Sequence, residues 1–300
     1  MDLGAKGNAY AAELYARHVT RFPGGASRAT GRNRRVMVTG FGLFEGIRFN
    51  IAGSVVSSLS DETFWPDNGA LGGFPKRSAR DGRLAFEDHG TRIVSRTLAR
   101  PAGEVDFSFA IFDVAWELAP ALLAHELRHF KPELLFMIGR GGTIAEIEAG
   151  ALNRAVAKPG FAPDGVPLGE LNMPAGEALL DDYPPGTELK LSWDRGKLGQ
   201  ALAPFMRGLD IELKTHDSAR PSNGYICNNL SFVAAHAASG RPLRLAGGAI
   251  ELAEMPELRG LQTGFLHLPQ IDERFESAAE ATPVIFELAR AVMTGVDSLL

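Results

Sequence analysis

The segment from Glu133 to Ile138 (ELLFMI) constrains the fold of this chain more than any other part of its sequence. A strand that is apolar at nearly every position needs cover on both faces, which is typical of a parallel sheet between two layers of helices. The residues before it, Glu117 to Phe130, have the spacing of an amphipathic helix that ends at Lys131-Pro132. Val36 to Thr39 is a shorter β-branched run that ends at Gly40 and predicts a second buried strand.

The same alternation of helix and strand patterns extends along the chain. Helical patterns cover residues 52–59, 197–207, 228–238 and 282–300, and strand-like runs cover residues 105–114, 150–157, 189–193 and 265–268. We therefore predict an α/β fold with three layers, α/β/α, around a central, largely parallel twisted sheet.

Two segments stand apart from this pattern. Residues 1–32 contain a predicted short helix over residues 8–22 and a break at Pro23-Gly24-Gly25, so we predict an N-terminal extension without a catalytic role. Residues 66–82 are rich in glycine and proline, which predicts a long surface loop. Since there is no internal repeat, the simplest division is this extension followed by one domain over residues 33–300.

Charge and composition exclude several classes of partner. The 300 residues carry a formal net charge of -5 and the pI is about 5.8, so we expect no nucleic-acid partner. No apolar run approaches the ~20 residues that span a bilayer, and the N-terminus has no secretory h-region. We therefore expect no membrane partner and a cytoplasmic location. The single cysteine, Cys227, excludes an internal disulfide framework and a metal cluster built from cysteines.

A glycine-rich segment, Val38 to Gly46 (VTGFGLFEG), follows the first predicted strand. Glycines between a strand and a helix can hold the pyrophosphate of a dinucleotide, but here their spacing is G-x-G-x-x-x-G. Phe41 and Phe44 occupy the segment, and bulky aromatic side chains suit an apolar pocket better than a close approach to phosphate. Packing in the core beneath the loop is an equal alternative for both rings.

The segment His125-Glu126-Leu127-Arg128-His129 matches the HExxH pattern of zinc proteases. Two histidines four residues apart share a helical face and can bind one metal, with the glutamate as general base. The charged Arg128 and the lack of a recognisable third ligand weigh against this interpretation. We favour two histidines on the flank of an amphipathic helix, and we expect neither a metal nor a cofactor.

Cys227, His267 and an acidic residue are the candidates for nucleophilic chemistry. Cys227 lies where a turn runs into a predicted helix, and a helix N-terminus favours the thiolate, although a buried inert thiol is the usual alternative. His267 lies in a short apolar strand, where a core histidine is the alternative. Glu146 and Glu148 follow the strand at 133–138, at the edge where α/β proteins place their sites. Together they can supply nucleophile, base and orienting acid.

These segments together resemble the cysteine-type pyroglutamyl peptidases, also called pyrrolidone-carboxylate peptidases. That family opens with a strand and a V-T-G-F-x-x-F-G-G loop followed by an asparagine, similar to Val38–Gly46 and Asn50. Its catalytic cysteine lies in G-x-Y-x-C-N, similar to Gly224–Asn228 with the glycine one position closer. Its catalytic histidine lies in F-I-H-V-P, similar to Phe265–Pro269. Its catalytic glutamate begins E-R-V-A-x-N, matched more loosely by Glu148–Asn153.

The resemblance, which covers most of residues 35–273 in order, implies an activity and a set of residues. It implies a cysteine peptidase that removes N-terminal pyroglutamate (5-oxoproline) from peptides with a blocked N-terminus, through a thioester acyl-enzyme. The implied catalytic residues are Cys227 as nucleophile, His267 as base and Glu148 as orienting acid. The implied substrate-binding residues are Phe41, Phe44, Asn50, Arg140 and Tyr225, with Lys158 near the oxyanion. The family often self-associates, so a homo-oligomer is compatible with the resemblance.

Departures from the family pattern leave the acid and the specificity open. Ala149 follows Glu148 where the family has arginine, so Glu146 remains an alternative acid, although the motif count favours Glu148. Arg140 replaces a glutamine that contacts the pyrrolidone ring, and Lys158 replaces an arginine. Two alternative functions follow: a related cysteine amidohydrolase of shifted specificity, and a non-catalytic binding protein on the same fold.

Overall fold

The computed structural model describes residues 20–22, 33–44, 47, 49–60, 92–160, 173–174, 176–245, 250–271, 273–276 and 278–300. The loop predicted at residues 66–82 lies outside them, as does most of the predicted N-terminal extension. The helix predicted over residues 8–22 is wrong at its end, because Thr20–Phe22 is a strand. Threonine and phenylalanine both favour extended structure, and pairing with a neighbouring strand outweighs the helical pattern.

The described residues contain a central sheet of eight strands and two small antiparallel sheets. In chain order the strands are β1 (Thr20–Phe22), β2 (Arg34–Phe41), β3 (Arg92–Arg100), β4 (Gly103–Phe112), β5 (Leu134–Arg140), β6 (Ala145–Ile147), β7 (Gly150–Leu152), β8 (Glu188–Lys190), β9 (Leu213–Thr215), β10 (Leu243–Leu245), β11 (Ile250–Leu252) and β12 (Gln262–Leu268). The order across the central sheet is β1-β3-β4-β2-β5-β12-β6-β9. The pairs β3/β4 and β12/β6 are antiparallel and the other neighbours are parallel, which confirms a largely parallel sheet.

Helices cover both faces of this sheet. They are α1 (Ile51–Ser60), α2 (Leu118–Phe130), α3 (Arg195–Gly208), α4 (Ile226–Ala237) and α5 (Ala278–Leu299). Apolar side chains of α1, α3 and α5 share one buried cluster with the sheet, and those of α2 and α4 share another. The predicted three-layer α/β/α arrangement is therefore confirmed.

Strand β5 shows why its apolar run predicted this arrangement. Leu134, Phe136 and Ile138 pack into the cluster on the side of α1, α3 and α5. Leu135 and Met137 point the other way, into the cluster that contains α2 and α4. Successive side chains of a strand face opposite sides, so a strand between two helical layers must be apolar at every position.

Besides β1, three further strands of the central sheet, β3, β6 and β9, were not predicted. β3 pairs antiparallel with β4 over its whole length, and its buried positions (Ile93, Val94 and Leu98) do not alternate regularly with exposed ones. β6 and β9 span three residues each, too few for a periodic pattern to appear in the sequence. The predicted strands at 150–157 and 189–193 are shorter in the structure, because β7 and β8 pair only with each other over three residues.

Gly40, near the end of β2, lets α1 approach the sheet closely. A Cβ at this position would lie 2.7 Å from the carbonyl oxygen of Ala52 and 3.0 Å from the Val56 side chain. The close packing fixes the direction in which the chain leaves β2 at the edge of the sheet. Within the described part of the chain, no helix is long and apolar enough to cross a membrane.

Candidate active site

The candidate site lies at the edge of the sheet where the parallel strands end. β2 ends at Phe41, β5 at Arg140 and β12 at Leu268, and these strands run side by side in the same direction. α4 begins near this edge, with Cys227 as its second residue. Open parallel sheets bind ligands outside the carboxyl ends of their strands, so the fold itself brings the predicted residues to one place.

Cys227 lies in the first turn of α4 and is partly exposed. The residue before the helix, Tyr225, is extended and provides no side-chain cap, so the first-turn amides of α4 have no partner from that side chain. Gly139 of β5 provides space for the sulfur. A Cβ on Gly139 would lie 2.9 Å from the Cys227 Sγ and 2.7 Å from the ring of Phe265. The helix start and the bare strand position therefore fix where the thiol sits.

His267 of β12 connects the thiol to a carboxylate. It pairs in register with Gly139 on one side and with Glu146 on the other, and it is 4% exposed. Its Nδ1 lies 2.8 Å from Oε1 of Glu148, and its side chain also hydrogen-bonds Cys227. Burial alone would lower the pKa of His267, but the hydrogen bonds and charges of Cys227 and Glu148 outweigh burial and raise the pKa to about 9. The surroundings therefore favour an imidazolium.

Glu148 follows β6 and is 1% exposed. Its backbone N–H donates to the carbonyl of Phe265 at 3.0 Å, which fixes the residue beside β12. Burial acts to raise the pKa of Glu148, but hydrogen bonds from His267 and Arg220 lower it below its usual value. The carboxylate is therefore held ionised next to the imidazole.

The two candidate acids have different partners in the structure. Glu148 contacts His267, whereas Oε1 of Glu146 lies 3.0 Å from Nε2 of His216 and accepts from Nη1 of Arg220 at 2.6 Å. Arg220 also contacts Glu148 and was not identified from the sequence. It lies in a polar stretch (HDSARPSNG) with no periodicity, so only its position close before Cys227 could have suggested it.

An apolar cavity of about 50 Å³ opens beside the thiol. By volume it holds a group the size of about three to five water molecules. Its lining includes Cys227 and all five residues predicted to bind substrate: Phe41, Phe44, Asn50, Arg140 and Tyr225. Val114 and Ile226 also line it among the described residues, and neither has a side chain that would mark it as functional in the sequence.

Polar side chains in this lining hold the surrounding backbone. Nδ2 of Asn50 donates to the Gly42 carbonyl at 2.8 Å, and its Oδ1 accepts from the Ala52 amide at the start of α1. The hydroxyl of Tyr225 donates to the carbonyl of Pro159 at 2.9 Å. Burial, with the nearby Cys227 as a smaller cause, raises the pKa of Tyr225 to about 12.

Lys158, predicted near the oxyanion, is exposed at the rim of this region. Its Nζ lies 4.9 Å from the centre of the Tyr225 ring, which is a cation–π distance. Its carbonyl accepts from Nε1 of Trp116 at 2.5 Å, and Trp116 meets the Tyr225 ring edge-on. The structure thus places the Lys158 charge against Tyr225.

The HExxH segment lies on α2. His129 is exposed, His125 is partly exposed, and Nδ1 of His125 lies 3.2 Å from Oε1 of the buried Glu126. Both histidines therefore lie on the flank of α2, which is an amphipathic helix. Among the residues that the structure describes, no group of three or more histidine, cysteine, aspartate or glutamate side chains is arranged to hold a metal.

The fold and the position of the site define a three-layer α/β protein with its candidate chemistry at the carboxyl edge of the sheet. No protein-family model matches the sequence, and no curated protein is significantly similar to it. Solved structures of pyrrolidone carboxyl peptidase from the hyperthermophile Pyrococcus furiosus are similar, one with a TM-score of 0.54 and 17% identity over 88% of this chain and 97% of that chain. A mutant of that peptidase is similar with a TM-score of 0.52 and 16% identity, over 88% of this chain and 96% of the other. At such low identity the likeness establishes a shared fold.

Proposed function

We propose that this protein is a cysteine hydrolase that removes N-terminal pyroglutamate from peptides. One observation carries the proposal: Cys227, His267 and Glu148 form a hydrogen-bonded series beside a small apolar cavity. A nucleophile, a base and an acid that orients the base are the parts that acyl transfer requires. The fold shared with pyrrolidone carboxyl peptidase agrees with this activity.

Acylation begins from the thiolate of Cys227 and the imidazolium of His267. The sulfur attacks the pyroglutamyl carbonyl carbon, a C–S bond forms, and the carbonyl oxygen takes the negative charge. As the tetrahedral intermediate collapses, the C–N bond breaks and His267 gives its Nε2 proton to the leaving amine. Throughout, the Nδ1–H of His267 donates a hydrogen bond to Glu148, which fixes the orientation of the ring.

Hydrolysis of the thioester completes the cycle. His267, now neutral, takes a proton from water while the water oxygen bonds to the acyl carbon. The C–S bond then breaks, pyroglutamate leaves, and the thiolate–imidazolium pair is restored. Backbone N–H groups in the first turn of α4 are the oxyanion donors, since Cys227 itself lies in that turn. Lys158, whose Nζ lies over the Tyr225 ring, can add positive charge near the oxyanion.

The cavity fits a small ring with an apolar surface. Phe41 and Phe44 line it, and the methylene groups of pyroglutamate would pack against them. Arg140 lines the same cavity and offers only donors, so it binds the lactam carbonyl but not the lactam N–H. This favours, as a second candidate, a cysteine amidohydrolase that acts on an acidic, open-chain acyl group.

The test is the release of a fluorescent amine from pyroglutamyl amide by the parent protein and by Cys227→Ala. We expect turnover by the parent and a loss of about a thousandfold or more in the variant. A succinyl amide with the same leaving group tests the second candidate. If the folded parent cleaves only the succinyl amide, the pyroglutamyl specificity is wrong. Turnover that survives in Cys227→Ala would contradict the cysteine mechanism for either substrate.

A further inference from the structure

Arg220 joins the two acidic residues of the site. Its Nε lies 3.0 Å from Oε1 and 3.3 Å from Oε2 of Glu148, and its Nη2 contacts the same carboxylate. Its Nη1 donates to Oε1 of Glu146 at 2.6 Å. One guanidinium therefore bridges two carboxylates, and its Nη2 also lies 3.2 Å from Nδ1 of His267.

The chain around Arg220 is anchored on both sides. The amide of Ala219 donates to Oε1 of Glu188 at 2.8 Å, and Nη1 of Arg154 donates to the carbonyl of Pro221 at 3.1 Å. The amide of His216 donates to the carbonyl of Ile147 at 3.0 Å, beside the two acids. The guanidinium is thus held in place before any substrate binds, and it loses little freedom on making its contacts.

The charges around Glu148 depend on this bridge. His267 contacts Glu148 from β12 and also hydrogen-bonds Cys227 of α4. Arg220 contacts Glu148 from the loop before α4, and Glu146 contacts both Arg220 and His216. Side-chain exposure is 1% for Glu148 and 10% for Glu146. Burial disfavours the ionised form of Glu148, and Arg220 is one of the two partners that offset this effect.

We propose that Arg220 is a positioning residue that clamps Glu148 against His267, so that the carboxylate stays ionised and correctly oriented. Glu146 holds the guanidinium of Arg220 in place through its contact with Nη1. The inference rests on the proposed function, because it assigns Glu148 the task of orienting the base. It also separates the two acids: Glu148 serves His267, and Glu146 serves Arg220.

Removing the Arg220 guanidinium should therefore change how the reactivity of Cys227 and kcat/KM depend on pH in acidic solution. Arg220 is one of the two side chains that lower the pKa of Glu148 against the effect of burial. Without the guanidinium, the pKa of Glu148 rises. The imidazolium of His267 then loses its counter-charge at a higher pH, and the ring loses the carboxylate that orients it beside Cys227.

The experiment compares Arg220→Met with Arg220→Lys and with Arg154→Met as a matched control. Arg154→Met removes an anchor of the same loop without touching either acid. Two quantities are measured against pH: the rate at which iodoacetamide alkylates Cys227, and kcat/KM for pyroglutamyl amide. For Arg220→Met we expect the acidic limb of both profiles to move up by about one pH unit. We also expect kcat/KM to fall about tenfold or more.

For Arg220→Lys we expect the acidic limb of both pH profiles to stay near that of the parent, since the positive charge remains. We expect kcat/KM to fall, because one ammonium cannot bridge both acids. An unchanged profile in Arg220→Met overturns the inference, and so does an equal shift in Arg154→Met. If Arg220→Met does not fold, Arg220→Lys tests the inference instead. A kcat/KM equal to that of the parent protein would then contradict the bridge between the two acids. If the parent cleaves no pyroglutamyl amide, the proposed function fails, but the alkylation profiles still test the clamp.

Discussion

The two halves of the candidate site are built differently. In the half formed by His267, Glu148 and Arg220, each side chain is fixed by directional hydrogen bonds to charged or ionisable partners. In the half around the cavity, Phe41 and Phe44 line the space beside Cys227 and pack in the same apolar cluster.

Two polar side chains of the cavity half, Asn50 and Tyr225, hydrogen-bond the protein backbone. Asn50 binds the Gly42 carbonyl and Tyr225 binds the Pro159 carbonyl. Under the proposed function, the half with Glu148 and His267 therefore depends on exact positions, while the cavity half depends on shape and apolar surface. If the proposed function holds, such a division allows substrate preference to change at cavity residues such as Arg140 while the proposed reacting groups keep their geometry.

A methyl group on Gly139 should disrupt the contact between Cys227 and His267 and cause the largest loss of activity. In Gly139→Ala the new Cβ would lie 2.9 Å from the Cys227 Sγ, so the thiol must move relative to His267. We expect kcat/KM for pyroglutamyl amide to fall about a hundredfold or more, because a displacement of about 1 Å in a reacting group costs that much.

Gly142→Ala is the matched control for this change. It lies three residues further along the same chain segment, and a Cβ there would have nothing within 4 Å. We expect parental kcat/KM in Gly142→Ala. Equal losses in both variants would show that the segment, rather than the position of the sulfur, controls the rate.

Removing a ring from the cavity should have a smaller and different effect. Phe44 is partly buried and lines the cavity, so Phe44→Ala removes apolar surface that would touch the substrate. We expect KM to rise about tenfold while kcat changes little, which is the size of effect that a hydrophobic pocket provides.

Phe130→Ala provides the comparison for Phe44→Ala. Phe130 is also partly buried against the same apolar cluster but does not line the cavity. Its removal should lower the melting temperature without raising KM. A loss of kcat at constant KM in Phe44→Ala would instead place that ring with the reacting groups.

Much of the fold and two of the candidate site residues could be predicted from the sequence. The apolar run at β5 predicted the sheet and its two covering layers, because a strand with both faces buried has no polar positions. Cys227 and His267 were identifiable because each lies in a short motif at the end of a predicted element.

The contacts between distant segments could not be obtained in this way. Arg220 meets Glu148 and Glu146 across more than 70 positions of the chain, and no local pattern encodes such a pairing. Whether Glu146 or Glu148 faces His267 depends on the register of β6 against β12, where His267 pairs with Glu146 in the backbone ladder while the Glu148 side chain reaches the ring. Register in a three-residue strand leaves no trace in hydrophobic periodicity.

The smallest expected effect concerns stability, and it separates His267 from another buried histidine. The pKa of His267 is raised from 6.5 to about 9, so its contribution to stability is complete below pH 6.5 and is lost as the pH rises towards 9. The pKa of Glu148 is lowered from 4.5, so its contribution is present above pH 4.5 and is lost in more acidic solution. These two groups together favour the folded state most between pH 4.5 and pH 6.5.

His236 has the opposite sign, because burial lowers the pKa of His236 and its contribution is lost as the pH falls. Melting temperatures measured from pH 6.5 to pH 9 should therefore fall by about 2 °C or more in the parent because of His267. In His267→Gln that fall should shrink, whereas in His236→Gln it should remain. A fall of equal size in His267→Gln and the parent would mean that the imidazole is not held as a cation, and the thiolate–imidazolium pair would then have to form only when substrate binds.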